Sequence, residues 1–216
     1  MAIIELTDIN VKFKNETILE NVNLSLEKNK IYGFIGANGS GKSVLFKTMC
    51  GYIRPNSGKV VIDGKMLKKG YDFPDDVGIL IEKPGFFWYT SAYKNLKYLA
   101  DINKKIDSER IKETIKLVGL DPGAKKNVGK YSVGMKQRLG IAQAIMEKPS
   151  IVILDEPMNG LDTDGVKIIR EVLFKLKEEG TTIIISSHYM EDIKVLCDEV
   201  YRVEKKAVTK ETAEQE

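Results

Sequence analysis

Hydrophobic and polar residues alternate through the opening segment, with Ile9, Val11 and Phe13 on one face and then Val22, Leu24 and Leu26 on one face. A period of two sets apolar side chains on one side of a pleated ribbon, so both segments predict half-buried strands of an antiparallel layer. At IYGFIG the alternation stops, and Ile31 to Ile35 predicts a short strand covered on both sides, as in a parallel sheet. A glycine-rich turn follows. VLFKTMCG then has helical spacing, with Leu45 and Met49 on one side and Gly51 as the stop. Val60 to Ile62 runs into Asp63-Gly64, a pair suited to the left-handed turn of a hairpin.

From about Pro84 to Ser150 the period becomes helical. Leu96, Leu99 and Ile102 form one stripe, and Ile111, Ile115 and Val118 another, closed by Gly119 and Pro122. This region predicts an inserted helical subdomain. Sheet character returns at IVILDEP, then a helix with Val166, Ile169, Leu173 and Leu176 stops at Gly180, then a strand covers Thr182 to Ile185. That order is βαβ, which joins parallel strands. After Val203 the remaining EKKAVTKETAEQE has few apolar groups, and residues 205–216 are expected to form a flexible tail.

Composition narrows the function. With 216 residues and 43% apolar content the chain can bury a core without disulfide or metal staples. Its 34 basic and 31 acidic side chains leave a net charge of +3, too even for an electrostatically driven nucleic-acid binder. Cys50 and Cys197 stand alone and far apart, which offers no disulfide framework or zinc site and fits a reducing compartment. No stretch approaches the roughly 20 apolar residues that span a bilayer, and the start lacks the blocks of a signal peptide. Any membrane role is therefore expected to come through a partner.

The strongest chemical signal is Gly36-Ala37-Asn38-Gly39-Ser40-Gly41-Lys42-Ser43, a full GxxxxGKS match between a predicted strand and a predicted helix. Its glycines let successive backbone N–H groups turn inward around phosphate oxygens, and the helix start adds the positive end of its dipole. Lys42 supplies a charge for the β and γ phosphates, and the Ser43 hydroxyl can reach Mg²⁺. In IVILDEP, four apolar residues deliver Asp155 and Glu156 at the carboxyl end of a buried strand, the edge where open α/β sheets hold ligands. Asp155 suits a water-mediated Mg²⁺ contact, and Glu156 suits a base that takes a proton from, or orients, the water attacking the γ phosphate. The bland reading of the same residues is an acidic turn before Pro157; the triphosphate loop upstream outweighs it.

These motifs, with YSVGMKQRLGIA at Tyr131 to Ala142, NGLD at Asn159 to Asp162 and SSH ending at His188, resemble the nucleotide-binding subunit of ABC transporters over nearly the whole sequence. The resemblance implies an α/β P-loop NTPase core with a parallel sheet, an antiparallel side sheet and an α-helical subdomain at about residues 84–150, in a single domain over 1–204. It implies ATP and Mg²⁺ as cofactors, a signature site at Ser132 and Gly134, a D-loop contact at Asp162, a γ-phosphate contact at His188 and an adenine-stacking ring at Phe13. Ser132 also opens a predicted helix, where a hydroxyl and free amides make an anion site. One domain of this kind cannot set that site against its own triphosphate. Two can, head to tail, each ATP lying between one copy's glycine loop and the other's signature helix.

Three positions depart from the family pattern. Val133 replaces a glycine, Met135 replaces a polar residue, and the loop VGILIEKPGFF carries Glu82 where most ABC subunits have glutamine. A carboxylate can ligate Mg²⁺ and cannot donate a hydrogen bond when ionised. Together, ILIEKPGF and the signature are similar to the bacitracin-resistance and lantibiotic-immunity exporters. The run Phe86 to Tyr89 cannot turn four rings to one face, and reads either as subdomain core or as a surface for a membrane subunit. The basic stretch Lys125 to Arg138 reads as a solvated face with a helix-capping role.

The expected protein is an ATPase at the cytoplasmic face of the cell membrane, driving export through a separate integral-membrane subunit. The competing readings are a non-transport ABC ATPase and a regulatory nucleotide binder. A regulatory binder would be expected to lose Glu156 or His188, and this chain has both.

Overall fold

The opening alternation forms two long strands, β1 (Ala2–Phe13) and β2 (Glu16–Glu27), paired antiparallel. In this computed structural model, which describes residues 2–14, 16–67, 73–188 and 190–211, β1 is flanked on its other side by the strand Ser57–Ile62. Between them in the chain come β3 (Ile31–Ile35) and helix α1 (Lys42–Met49), so Ser57–Ile62 is β4. Asp63 and Gly64, with φ of 45° and 76°, turn β4 back into β5 (Lys65–Met66), completing a four-stranded sheet in the order β2-β1-β4-β5.

A second sheet holds the site. Its strands β6 (Val77–Leu80), β7 (Ile151–Leu154), β8 (Thr182–Ser186) and β9 (Glu199–Glu204) run parallel with β3, and β10 (Ala207–Lys210) closes one edge antiparallel, in the order β10-β9-β3-β8-β7-β6. Residues alternate between two cores. Val152 and Leu154 join Ile183, Ile185 and the helices on one face, while Ile151 and Ile153 join Ile184, Phe34 and the antiparallel sheet on the other. Burial on both faces is why these strands read as unbroken apolar runs.

Helices α2 (Ala92–Asn103), α3 (Ser108–Leu117) and α4 (Val133–Ile145) fall between β6 and β7, α5 (Thr163–Glu178) joins β7 to β8, and α6 (Met190–Leu196) precedes β9. Arg138 donates to the carbonyls of Val118 and Gly119, capping the end of α3 as the basic stretch predicts. α4 lies against β6 through small residues. A Cβ on Gly78 would stand 1.9 Å from the Ala144 carbonyl oxygen, and one on Gly140 would stand 2.9 Å from Leu80.

Three expectations change. VGIL, taken as part of a loop, is β6; Gly78 breaks its apolar run and hides the strand signal. Ile102 is 74% exposed, because a three-residue step slips about 60° per repeat around a helix and Ala100 takes the inward position. The chain after Val203 does not fray: Lys205 and Lys206 turn with positive φ, and β10 pairs with β9, Val208 lying opposite Val203. Ion pairs of Lys210 with Glu199 and of Glu211 with Arg202 hold this edge, together with a bond from the Glu20 amide to the Lys206 carbonyl. The rest of the expected tail, 212–216, lies outside the described residues.

The α4–β6 contact predicts a stability test. Gly78→Ala should cost about 3 kcal/mol or prevent folding, because a backbone carbonyl cannot retreat, whereas Gly85→Ala, with nothing within 4 Å, should stay within about 0.5 kcal/mol. Urea denaturation of both variants measures the difference.

Candidate active site

β3 delivers the chain to the glycine loop. Gly36 passes so close to β9 that a Cβ would meet the Val203 carbonyl oxygen at 2.4 Å, and Gly41 begins α1 at φ 106°, a conformation L side chains rarely adopt. Lys42, 6% exposed, donates to the carbonyls of Gly36 (2.7 Å) and Ala37 (3.1 Å), arching over the loop. The buried Ser40 Oγ has no hydrogen-bond partner among the described residues. A loop with an unsatisfied hydroxyl, a lysine and the amides of a helix start has the donors an anionic phosphate requires.

The end of β7 faces this loop. Asp155 accepts from Ser43 on Oδ2 and from Ser186 on Oδ1, each at 2.6 Å, and the Glu156 amide donates to the same Ser186 hydroxyl at 2.8 Å. Glu156 then turns with φ 52°, a strained geometry for a side chain of its size. Its carboxylate meets His188: Oε1 lies 2.9 Å from Nε2, and Oε2 accepts from the His188 amide at 3.3 Å. Burial raises the Glu156 carboxyl above its usual pKa, while His188 and Lys42 pull it down and the charge on Asp155 adds to the rise. A carboxylate tuned upward, with a buried Oε1 that has no hydrogen-bond partner among the described residues, is suited to accept a proton.

A cavity of about 260 Å³ brings these groups together, lined by residues 38–44 with Ile18, Asp155, Glu156 and His188. Larger hollows lie elsewhere, including one of about 550 Å³ beside β5, but none of them is lined by the glycine loop. Ser43 and Asp155 offer hard oxygen donors one hydrogen bond apart, and these fit Mg²⁺, which takes few protein ligands beside phosphates and water. Glu82 is turned elsewhere, paired with Lys47 on α1 and outside the cavity lining. Phe13 is half exposed at the end of β1, and Ile18 rather than Phe13 lines the cavity.

Ser132, Gly134 and Asp162 also lie outside that lining. Ser132 caps α4, accepting from the Met135 amide, and Asp162 caps α5, accepting from the Gly165 amide. Gly134 approaches the D-loop so closely that a Cβ would stand 2.7 Å from the Gly160 carbonyl oxygen, and the neighbouring Val133 is 72% exposed. Two residues inside quoted motifs take roles the motifs do not assign: Ser186, the first residue of SSH, bridges Asp155 and the Glu156 amide, and Gln137, within the signature stretch, donates to the Glu156 carbonyl at 3.0 Å.

The fold and the loop define a P-loop ATPase with an antiparallel side sheet. The chain belongs to the ABC transporter family, which it matches over residues 19–159, and it is an ATP-binding subunit of that family. It is 40% identical over 198 residues to the bacitracin transport ATP-binding protein BcrA of Enterococcus faecalis, covering 91% of this chain and 64% of that one. It is 36% identical over 195 residues to the lantibiotic transport ATP-binding protein SrtF of Streptococcus pyogenes, covering 90% and 84%. Among solved structures, cbiO1 of Clostridium perfringens, part of the ABC transporter complex cbiONQ, superposes with a TM-score of 0.83 at 28% identity, covering 96% of this chain and 87% of that one. The resemblance to bacitracin and lantibiotic transport subunits is thereby met.

Ser186→Ala should remove two hydrogen bonds around Asp155 and Glu156. We expect a stability loss of about 1–3 kcal/mol and a fall in ATP turnover of about tenfold or more, with ATP affinity little changed. Denaturation, steady-state turnover and nucleotide titration read the three effects separately.

Proposed function

We propose that this protein hydrolyses ATP, as one of a head-to-tail pair, at the cytoplasmic face of a membrane and thereby drives export through a separate integral-membrane subunit. The reading is carried by one observation: a single cavity joins the glycine loop to Asp155, Glu156 and His188, while Ser132 and Gly134 stand outside its lining. In the family arrangement a second copy would bring its own Ser132 and Gly134 to this cavity, supplying the hydroxyl and amides of a helix start to the γ phosphate.

Within the cavity, Lys42 and the loop amides bind the β and γ phosphates and offset their charge. Ser43 and Asp155 are the residues that would hold Mg²⁺, with Glu82 as a further ligand by resemblance; the ion supplies charge neutralisation across the phosphates. Glu156 accepts a proton from the attacking water, and its raised affinity for protons suits the task. His188, already against Glu156, orients that carboxylate and the γ phosphate. Phe13 offers an exposed ring to adenine, and Asp162 sets the D-loop at the pair's interface.

No helix among the described residues is long and apolar enough to cross a membrane. The surface for the membrane partner is the aromatic run. Phe86 packs on the helical core, but Phe87, Trp88 and Tyr89 are 51%, 70% and 56% exposed, and Tyr98 packs edge-on against Phe87. Backbone bonds from Gly129 to Trp88 and from Val128 to Thr90 pin the loop, so the exposed rings are presented on a fixed frame. An exposed aromatic cluster of this kind marks an interaction site. The likeness to BcrA and SrtF supports a peptide antibiotic as cargo.

Two measurements test the proposal. Glu156→Gln should bind ATP, accumulate as a dimer in sedimentation and lose turnover; hydrolysis at the wild-type rate would refute the assigned role. Trp88→Ala should lose co-purification with the membrane subunit while the isolated protein keeps its ATPase rate. Unchanged assembly and transport would remove the docking surface.

A further inference from the structure

We infer that Lys47 is a positioning residue that competes with magnesium for the Glu82 carboxylate. The inference rests on the reading of Glu82 as a metal ligand. Lys47 and Ser43 are four residues apart on α1, so their side chains share a face about one turn, or about 6 Å, apart. Ser43 donates to Asp155 at one end of that face, and Lys47 holds Glu82 at the other. A displacement of one helical turn along α1 would carry the carboxylate from the ammonium group to the Ser43–Asp155 pair.

The charge of the glutamate matters here. A glutamine at position 82 would have no ion pair to surrender, so the exchange belongs to the carboxylate form of the loop. Asp155 is tied through each oxygen to a hydroxyl, whereas Glu82 is held by the Lys47 ammonium group, the partner it would exchange for a cation. The Glu82 side chain is 65% exposed and that of Lys47 29%, and a pair so open to water is weak enough to break on every cycle. Lys47 thereby sets how much of the metal's affinity is spent on drawing Glu82 inward.

The test is the ratio of affinities for a fluorescent nonhydrolysable ATP analogue with Mg²⁺ and with EDTA, measured on the full chain. Lys47→Met should raise that ratio roughly two- to fivefold, the range an exposed ion pair carries. Lys47→Arg, which keeps the charge, should leave it near the wild-type value. In a Glu82→Gln background, Lys47→Met should have no effect. A ratio unchanged or lowered by Lys47→Met, or raised equally in the Glu82→Gln background, overturns the inference and leaves the ATPase reading intact. An analogue that binds the wild-type chain without regard to Mg²⁺ overturns the inference together with the assignment of the metal ligands.

Discussion

Asp155 is the point on which the active site hangs. One carboxylate oxygen accepts from Ser43 at the start of α1 and the other from Ser186 at the end of β8, so a single side chain ties the glycine loop to two neighbouring strands. Ser186 passes the constraint on by accepting the Glu156 amide, which sets where the proposed base begins its turn. These bonds sit at the end of a fully buried strand. The sheet can hold this arrangement because β7 and β8 are covered on both faces and cannot slide without exposing isoleucines and leucines.

The same covering explains which parts of the fold could be read from sequence. Runs such as Ile151 to Leu154 and Thr182 to Ser186 carry their burial in their composition, and Asp63-Gly64 carries its turn in its two backbone angles. Local signals of this kind need no knowledge of distant neighbours. β6 and β10 were hidden because each owes its pairing to another strand: Gly78 is required by the nearby Ala144 carbonyl, and β10 is held by the β9 ladder and by ion pairs with Glu199 and Arg202. Ile102 shows the converse error, where a correct helix was given a stripe with the wrong step.

The site divides in the same way. The glycine loop and the pair Asp155-Glu156 are contiguous, and their chemistry follows from residue type and order. Ser186, Gln137 and Lys47 act across 31, 19 and 35 residues of chain respectively, joined only when the sheet and α1 come together. The glycine loop, Asp155-Glu156 and His188 are the motif residues that line the cavity. The groups that hold them in place are assigned by the fold rather than by a motif: Ser186 and Gln137 sit in quoted stretches that do not reveal their partners, and Lys47 sits in none.

Glu82 and Glu156 show how far environment outweighs residue type. Both follow adjacent parallel strands, β6 and β7, and both turn with positive φ, at 62° and 52°. Glu156 is enclosed against His188, and burial raises its proton affinity. Glu82 stands in solvent, and its partner is the Lys47 ammonium group. Burial raises the proton affinity of the first carboxylate, while the second is exposed and paired with an ammonium group. Two identical side chains at one sheet edge therefore meet opposite surroundings, one enclosed beside an imidazole and the other in solvent beside an ammonium group, with the difference set by what each strand's exit loop is packed against.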